Sequence, residues 1–271
     1  MKNSKLLAIL NFVFVLVNLS WLIILDKDKF FGRSLNDVFT QELTYLTPHK
    51  YTYFIWTLIG IALTLLHFTY IRALDYDRFK EGWERKILRV GNLIIINQLL
   101  LGLSMVTKLN NYIGLSTLLS LGVLVTIIIT TYRLDLFNNS NPCVIQYFTK
   151  IGYSLYAGWM IYVVGFNSKM YLSQVLELSY TSKFIFAIAF LAVVYAWLFF
   201  LTIKHRLPAL LFGFTAGIVG SYFNQVHASN MAYNTEIRII FGTLIAITCF
   251  TLIYLQLFPS PKNSHKEVIG N

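Results

Sequence analysis

The sequence predicts an all-α integral membrane protein, a polytopic bundle of about eight transmembrane helices, and three observations support this fold class. Hydrophobic residues make up 56% of the chain and charged residues only 13%, about half the charged share of a typical soluble domain. The mean hydropathy is +0.62. Apolar runs near the length that spans a bilayer as a helix recur at 6–25, 53–71, 90–107, 112–132, 151–167, 184–203, 207–224 and 239–258.

The first run follows two lysines, as the core of a secretory signal also does, but we expect it to be a retained span. The apolar stretch 6–25 is longer than a usual signal core, and no small-x-small cleavage site precedes Asp26.

The basic residues predict the orientation of the chain. If the N-terminus is cytoplasmic, 14 of the 22 Lys and Arg residues fall in the inside segments, many of them in the mixed-charge segment 72–89. Because Lys and Arg concentrate in cytoplasmic loops, we expect a multi-pass protein of the cytoplasmic (inner) membrane with both termini in the cytoplasm. Contact with anionic lipid headgroups then explains the net charge of +10. The lipid bilayer is the expected partner, and nucleic acid is not.

We expect segment 72–86 to extend the adjoining helices beyond the membrane as a solvated surface.

The second predicted span opens with TPHKYTYFIW at 47–56. Pro48 suits the first turn of a helix, and Thr47 can cap the exposed N–H groups. At 100° per residue, one face of this helix carries Trp56, Gly60, Leu63 and His67. An ionisable side chain inside a membrane helix normally faces the bundle interior, so this stripe is a candidate cavity lining. The alternative is an interfacial aromatic belt, with His67 hydrogen-bonded to a neighbouring helix.

The fifth predicted span repeats this pattern. Its candidate face consists of Tyr156, Trp159, Val163 and Asn167. Gly158 and Gly165 lie among these residues, and small side chains let another helix or a flat ligand come close. Packing together with an interfacial belt is again the alternative interpretation.

Glycines also recur in the seventh predicted span, at Gly213, Gly217 and Gly220. Such spacing is typical of a close-packing helix face. Its partner is either another helix of the same chain or a second protomer, so a homodimer is one interpretation.

Sequence motifs of catalysis are missing from the chain. There is no Walker loop, no HExxH, no Cys–His cluster and no Ser-His-Asp constellation. Cys143 and Cys249 have no metal-binding spacing. We therefore expect neither an enzyme nor a metal site.

Two of these segments together resemble the tryptophan-rich sensory protein (translocator protein, peripheral benzodiazepine receptor) family. The resemblance is to its longer bacterial members, in which three helices follow a five-helix core. Their second span typically opens with TPAGYTFSIW, which is TPHKYTYFIW here, and their fifth runs close to SIYLGW with a later Asn. Here the fifth span has SLYAGW at 154–159, followed by Asn167. The resemblance implies a five-helix core at 1–167, a three-helix extension at 168–258 and a polar tail at 259–271.

The resemblance also implies a pocket enclosed by the five helices and covered by the loop between the first two spans. Members bind porphyrins and other tetrapyrroles, sterols and drug-like aromatics, so we expect a porphyrin or haem-like ligand and no resident cofactor. Aromatic rings with one or two polar anchors suit such a ligand. The ligand-binding residues expected on this basis are Tyr51, Tyr53, Trp56, Tyr156, Trp159 and Asn167. The candidate cavity lining of the second span adds His67 to this set.

The chain departs from the family in several places. It has only five tryptophans, Gly60 stands where the family has a tyrosine, and Gly152 where a proline commonly begins the fifth span. We expect a membrane binding, sensing or transport protein for a hydrophobic ligand such as a porphyrin. Two alternatives remain: a small-solute or lipid transporter, and an accessory subunit of a membrane complex. The accessory subunit would have a core sealed by the side chains of its second and fifth spans.

Overall fold

The structure, a computed structural model, describes residues 2–27, 31, 33–34, 37–38, 44–137, 144–227 and 231–258. Within these ranges the chain is helical and contains no strand. The α-helices are α1 (Lys2–Lys27), α2 (Phe54–Ala73), α3 (Asp77–Val90), α4 (Leu93–Leu109), α5 (Ile113–Arg133), α6 (Val144–Val175), α7 (Tyr180–His205), α8 (Pro208–His227) and α9 (Asn234–Leu257). The predicted polar tail at 259–271 lies outside the described residues.

The helices α1, α2, α5, α7 and α9 are each long and apolar enough to cross a bilayer. A sixth span is formed if the bent pair Lys80–Val90 and Leu93–Leu109 crosses as one unit. The other predicted spans correspond to α6 and α8, which carry more polar residues. The protein is therefore a multi-pass helical membrane bundle, and the count of eight spans stays a prediction.

Segment 72–86 differs from the expected extension of its neighbours, because it contains the separate helix α3. The break to α4 lies at Gly91, whose φ of 60° is in the region that favours glycine. Lys80–Val90 meets α4 at an angle of 47°. Trp83 is buried and stacks on Tyr70 of α2, with ring centroids 4.8 Å apart. One face of α3 therefore packs on the bundle and is not solvated.

The start of α2 also differs from the prediction. The helix begins at Phe54, after a 3₁₀ turn at Lys50–Tyr53, and not next to Pro48. The Thr47 hydroxyl oxygen accepts a hydrogen bond from the Thr44 N–H at 2.8 Å and does not cap the helix. The TPHKYT segment is therefore a folded loop, and only its last residues lead into the membrane helix.

Among the described helices, α6 and α8 make the most extensive contact, and glycines allow their backbones to approach closely. A Cβ added at Gly158 would overlap the Leu210 carbonyl oxygen, and one added at Gly213 would overlap the Leu155 carbonyl oxygen. Gly217 lies against the ring of Tyr162. The glycine face of α8 thus has an internal partner. Helix α6 itself continues without a break through position 167, where the core was predicted to end.

Side-chain contacts join the loops at one end of the bundle. The contacts are Lys5 Nζ with Asp75 at 2.6 Å, Arg89 with Asp135 at 3.2 Å, His205 Nδ1 with the Phe137 carbonyl at 3.1 Å, and Arg206 with the Phe258 carbonyl at 2.8 Å. The hydrogen bond from Lys5 holds the pKa of the Asp75 carboxyl below its ordinary value. The start of α1 and the end of α9 therefore share this end, called here the basic end.

Candidate functional site

Three aromatic residues form a cluster between α2 and α6. The Trp56 ring lies 5.9 Å from the Trp159 ring at an interplanar angle of 88°, and 6.2 Å from the Tyr156 ring. These edge-to-face arrangements are favoured by the ring quadrupoles. All three side chains are buried, and Trp159 is 0% exposed. The Trp159 indole N–H has no hydrogen-bond acceptor among the described residues. The centre of the predicted site thus combines aromatic surface with an unused donor.

A hydrogen-bond network runs beside the aromatic cluster and joins four helices. Asn18 of α1 donates to Gln98 Oε1 of α4 at 2.8 Å, and Gln98 donates to Asn97 Oδ1 at 3.0 Å. Tyr156 of α6 donates to the same Asn97 oxygen at 2.9 Å. Asn97 Nδ2 in turn donates to Thr126 Oγ1 of α5 at 2.8 Å. The amides of α4 therefore link helices, as interhelical hydrogen bonds commonly do in membranes.

His67 of α2 is buried next to this network. Its Nε2 shares a hydrogen bond of 3.1 Å with the Tyr153 hydroxyl of α6. The Tyr70 hydroxyl, one turn further along α2, donates to Thr149 Oγ1 at 2.9 Å. These bonds connect α2 to α6 on the side of the cluster nearer the basic end.

Two small cavities lie among these residues. Each has a volume of about 10 Å³, room for about one water molecule. The first, called here the polar cavity, is lined by Leu63, His67, Ile94, Asn97, Gln98, Ile127, Thr130, Tyr153 and Tyr156. The second, called here the α1 cavity, is lined by Val15, Asn18, Leu19, Leu22, Trp56, Ile59, Gly60, Leu63, Gln98, Leu101 and Tyr156.

The predicted stripe on α2 lines these two cavities, which confirms that it faces the interior. Both of these cavities, which are formed by described residues, are nevertheless too small for a ligand. Known ligand pockets measure about 300–1,000 Å³, far more than either cavity. At Gly60 the space is taken by the Leu19 side chain of α1, which a Cβ on Gly60 would overlap. A drug-sized ligand therefore fits between these helices only if α1 or its side chains move.

Trp159 contacts Trp56 without lining either cavity, and three other predicted ligand-binding residues lie apart from both the aromatic cluster and the cavities. Tyr51 is 75% exposed, and its ring packs on His49 at 5.0 Å. Tyr53 is half-buried against the hydrophobic core. Asn167 is buried between α4 and α5, where it accepts a hydrogen bond from Lys108 Nζ and donates to Ser120 Oγ at 3.0 Å. The structure thus brings Trp56, His67, Tyr156 and Trp159 to the interface of α2 and α6, and a role in ligand binding stays a prediction for all seven residues.

Residues 44–49, the described end of the predicted lid loop, dock on α6 and α8. The Tyr162 hydroxyl donates to the Leu46 carbonyl at 2.7 Å, and Gln225 Nε2 donates to the Thr44 carbonyl at 3.2 Å. The His49 N–H donates to the Gly220 carbonyl at 2.9 Å. None of these residues lines either cavity. This part of the loop therefore closes the end of the bundle opposite the basic end.

The match to a known family covers nearly all of this bundle. The model of the family described as TSPO-like protein matches residues 8–257. The chain belongs to this family. The match runs through the predicted core at 1–167 and almost all of the predicted extension at 168–258, and the division between the two stays a prediction. No curated protein and no solved structure matches the chain.

Asn18, Gln98 and Tyr153 line the cavities of this TSPO-like chain but were not predicted as site residues. Each is a polar side chain within an apolar run, and this is the signal that could have singled them out, since polar residues inside the membrane usually face the interior. Their spacing alone does not show that they meet, because they come from three different helices.

Proposed function

We propose that the protein is a membrane-embedded binding or sensing protein for a hydrophobic small molecule that carries hydrogen-bonding groups. The observation that carries this proposal is the convergence of an aromatic cluster and a polar network on two adjoining cavities. We place the ligand between α1, α2, α4 and α6, in space made by joining the polar cavity and the α1 cavity. The role is non-enzymatic.

The composition of the network supports a ligand site over simple packing. Polar groups inside a membrane cost free energy unless they are hydrogen-bonded, and interhelical hydrogen bonds there contribute only about 0.6 kcal/mol on average. Filling this core with amide and phenol groups costs more free energy than filling it with leucine. Hydrogen bonds from these donors and acceptors to a ligand would offset this cost.

The wall between the cavities supports the proposed route of opening. Both cavities are lined by Leu63, Gln98 and Tyr156. A change of rotamer in these side chains would therefore join the two cavities. Helix α1 supplies the outer wall of the α1 cavity through Val15, Asn18, Leu19 and Leu22. A movement of α1 away from Gly60 would enlarge this cavity toward the lipid. Binding would then favour an open conformation over the closed one seen here.

A tetrapyrrole is the ligand class we propose to test first. Its flat apolar ring can stack on Trp56 and Tyr156, and its carboxylates are hydrogen-bond acceptors. We expect saturable micromolar binding of protoporphyrin IX to the detergent-purified protein, with affinity at least tenfold weaker in Trp56→Leu and Trp159→Leu. Binding is measured through the absorbance of the porphyrin, so that removing a tryptophan does not change the signal.

Trp197→Leu is the matched control for this titration. Trp197 is 50% exposed on α7 and belongs neither to the aromatic cluster of Trp56, Tyr156 and Trp159 nor to either cavity lining, so its loss should leave the affinity within about twofold. A linear, non-saturating signal that none of the three substitutions changes would show partitioning into micelles and would refute the tetrapyrrole assignment.

The small volume of the two cavities favours a second candidate function, an accessory subunit of a membrane complex. In that case the aromatic cluster serves packing alone. Trp56→Leu would then lower the stability of the protein, and no ligand of the hydrophobic class would raise its melting temperature. A ligand that binds the folded state does raise it, so a thermal-shift screen of porphyrins and sterols separates the two functions.

We further propose that the basic end faces the cytoplasm in the inner membrane. The side chains of Lys5, Arg72, Arg89, Arg133 and Arg206 lie at or near this end, and cytoplasmic loops are enriched in Lys and Arg. Accessibility of engineered single cysteines at exposed positions of the two ends to a membrane-impermeant maleimide tests the orientation. A homodimer would need a surface other than the glycine face of α8, since α6 covers that face.

A further inference from the structure

A groove on the outside of the bundle lies between α8 and α9, away from the cavities described above. It has a volume of about 350 Å³, is open to the surroundings, and is lined by Tyr222, Thr235, Arg238, Ile239 and Gly242. Four of these residues follow the i, i+3, i+4, i+7 spacing of a single face of α9. The groove is thus a continuous strip along one membrane-spanning helix, with Tyr222 of α8 as its other wall.

The part of this groove around Arg238 is cationic, and no described residue supplies a counter-charge. The Arg238 guanidinium lies 5.9 Å from the centre of the Tyr222 ring, and its Nε is buried without a hydrogen-bond acceptor in the described part of the chain. No described carboxylate pairs with it. A guanidinium near the hydrocarbon is costly unless an anion satisfies its N–H groups, and phosphate is an anion that its planar donors fit.

The lower part of the groove is apolar and empty. A Cβ added at Gly242 meets no atom within 4 Å, and Ile239 is 65% exposed. Arg238 occupies the fifth position of α9, immediately before the predicted span 239–258, so the cation lies at the level of the lipid headgroups. The residues that follow it lie at the level of the acyl chains.

We propose that this groove is a binding site for one anionic phospholipid of the bilayer. Its phosphate accepts hydrogen bonds from Arg238 and from the Thr235 hydroxyl, and one acyl chain lies along Ile239 over Gly242. Two observations select this occupant: the charge of Arg238 complements a phosphate, and the groove opens where the bilayer itself surrounds α9. The site is independent of the proposed ligand site between α1, α2, α4 and α6.

Native mass spectrometry of the full chain, with added palmitoyl-oleoyl phosphatidylglycerol or the phosphatidylcholine of the same chains, tests this site. We expect one phosphatidylglycerol to bind at least tenfold more tightly than phosphatidylcholine. Arg238→Gln should weaken the binding of phosphatidylglycerol about tenfold, as expected for the loss of charge-assisted hydrogen bonds. Gly242→Leu should weaken the binding of both lipids by filling the space of the acyl chain.

Two matched controls separate the site from general effects of charge and volume. Lys183→Gln removes a cation at the same end of the bundle, and Gly82→Leu adds the same volume at a glycine whose Cβ would also meet no atom within 4 Å. Both should leave the affinity for phosphatidylglycerol within about twofold. Because the groove between α8 and α9 is on the surface, the variants Arg238→Gln and Gly242→Leu should fold. An unchanged far-UV circular dichroism spectrum checks this.

Three results would overturn the proposal. Equal binding of the two lipids would show only the ordinary lipid shell. Unchanged affinity in Arg238→Gln and Gly242→Leu would show that the selective site lies elsewhere. A dimer in the wild type that Gly242→Leu abolishes would identify a second copy of the chain as the occupant.

Discussion

Replacing Gly158 with alanine is expected to destabilise the protein by about 3 kcal/mol, near the upper end of the usual cost of overpacking. The added methyl group would overlap the Leu210 carbonyl oxygen and press on the Phe214 backbone nitrogen. Both obstacles are backbone atoms of α8, so no side-chain rotation relieves the overlap and the two helices must separate. Thermal unfolding in detergent, followed by circular dichroism, should show a midpoint about 5–10 °C lower.

Gly82→Ala is the control for the intrinsic effect of the substitution. Gly82 lies within α3, and its Cβ would meet no atom within 4 Å. Alanine stabilises a helix interior relative to glycine by about 1 kcal/mol, so this variant should be as stable as the wild type or slightly more stable. An unchanged melting temperature in Gly158→Ala would show that α6 and α8 are not in backbone contact.

Asn167→Leu is expected to cost about 3 kcal/mol of stability, because it removes an acceptor from a buried ammonium group. Lys108 Nζ donates to Asn167 Oδ1, and both residues are buried in the bundle. The substitution also leaves Ser120 Oγ without the donor Asn167 Nδ2. The same thermal unfolding experiment measures the loss.

The double variant Lys108→Met/Asn167→Leu tests whether the loss of the hydrogen bond to the buried ammonium causes this destabilisation. Replacing a buried polar pair by apolar residues of similar size is often neutral, so the double variant should regain most of the stability lost in Asn167→Leu. Asn110→Ala, at an exposed asparagine on the same α4–α5 side, should change little. A double variant as unstable as Asn167→Leu alone would point to packing, and not to the lost hydrogen bond, as the cause.

The positions of most helices follow directly from the apolar runs. The predicted span 184–203, for example, lies within α7 at Tyr180–His205. Helix α6 is the informative exception: the run 151–167 predicts about half of Val144–Val175. Lys150 and Lys169 end the apolar run, but the helix continues past both of them. Lys169 is fully buried, with its ammonium 4.5 Å from the centre of the Tyr45 ring. The apolar run 151–167 is the buried part of α6, and the missed ends at 144–150 and 168–175 are more polar and mostly exposed or half-buried. Hydropathy therefore locates the middle of this helix and misses its two ends.

The sequence predicts which face of α2 points into the bundle, but not the volume of the cavity that this face lines. The spacing of Trp56, Leu63 and His67 is enough to place them on one interior face. Whether that face lines a pocket depends on side chains from other helices, such as Leu19, which fills the space at Gly60. Tyr51 is exposed for a local reason, because the 3₁₀ turn at Lys50–Tyr53 replaces the expected first helical turn.

The contact between Gly158 and Gly213 has a consequence for how the protein is made. These two glycines are 55 positions apart in the chain, and at about 5–20 residues per second of synthesis α8 emerges several seconds after α6. During that interval the glycine face of α6 lacks the helix on which it packs in the finished bundle. The assembly of the bundle therefore cannot finish before the last part of the chain leaves the ribosome. A nascent chain stalled before α8 is the species in which a membrane chaperone would find this face uncovered.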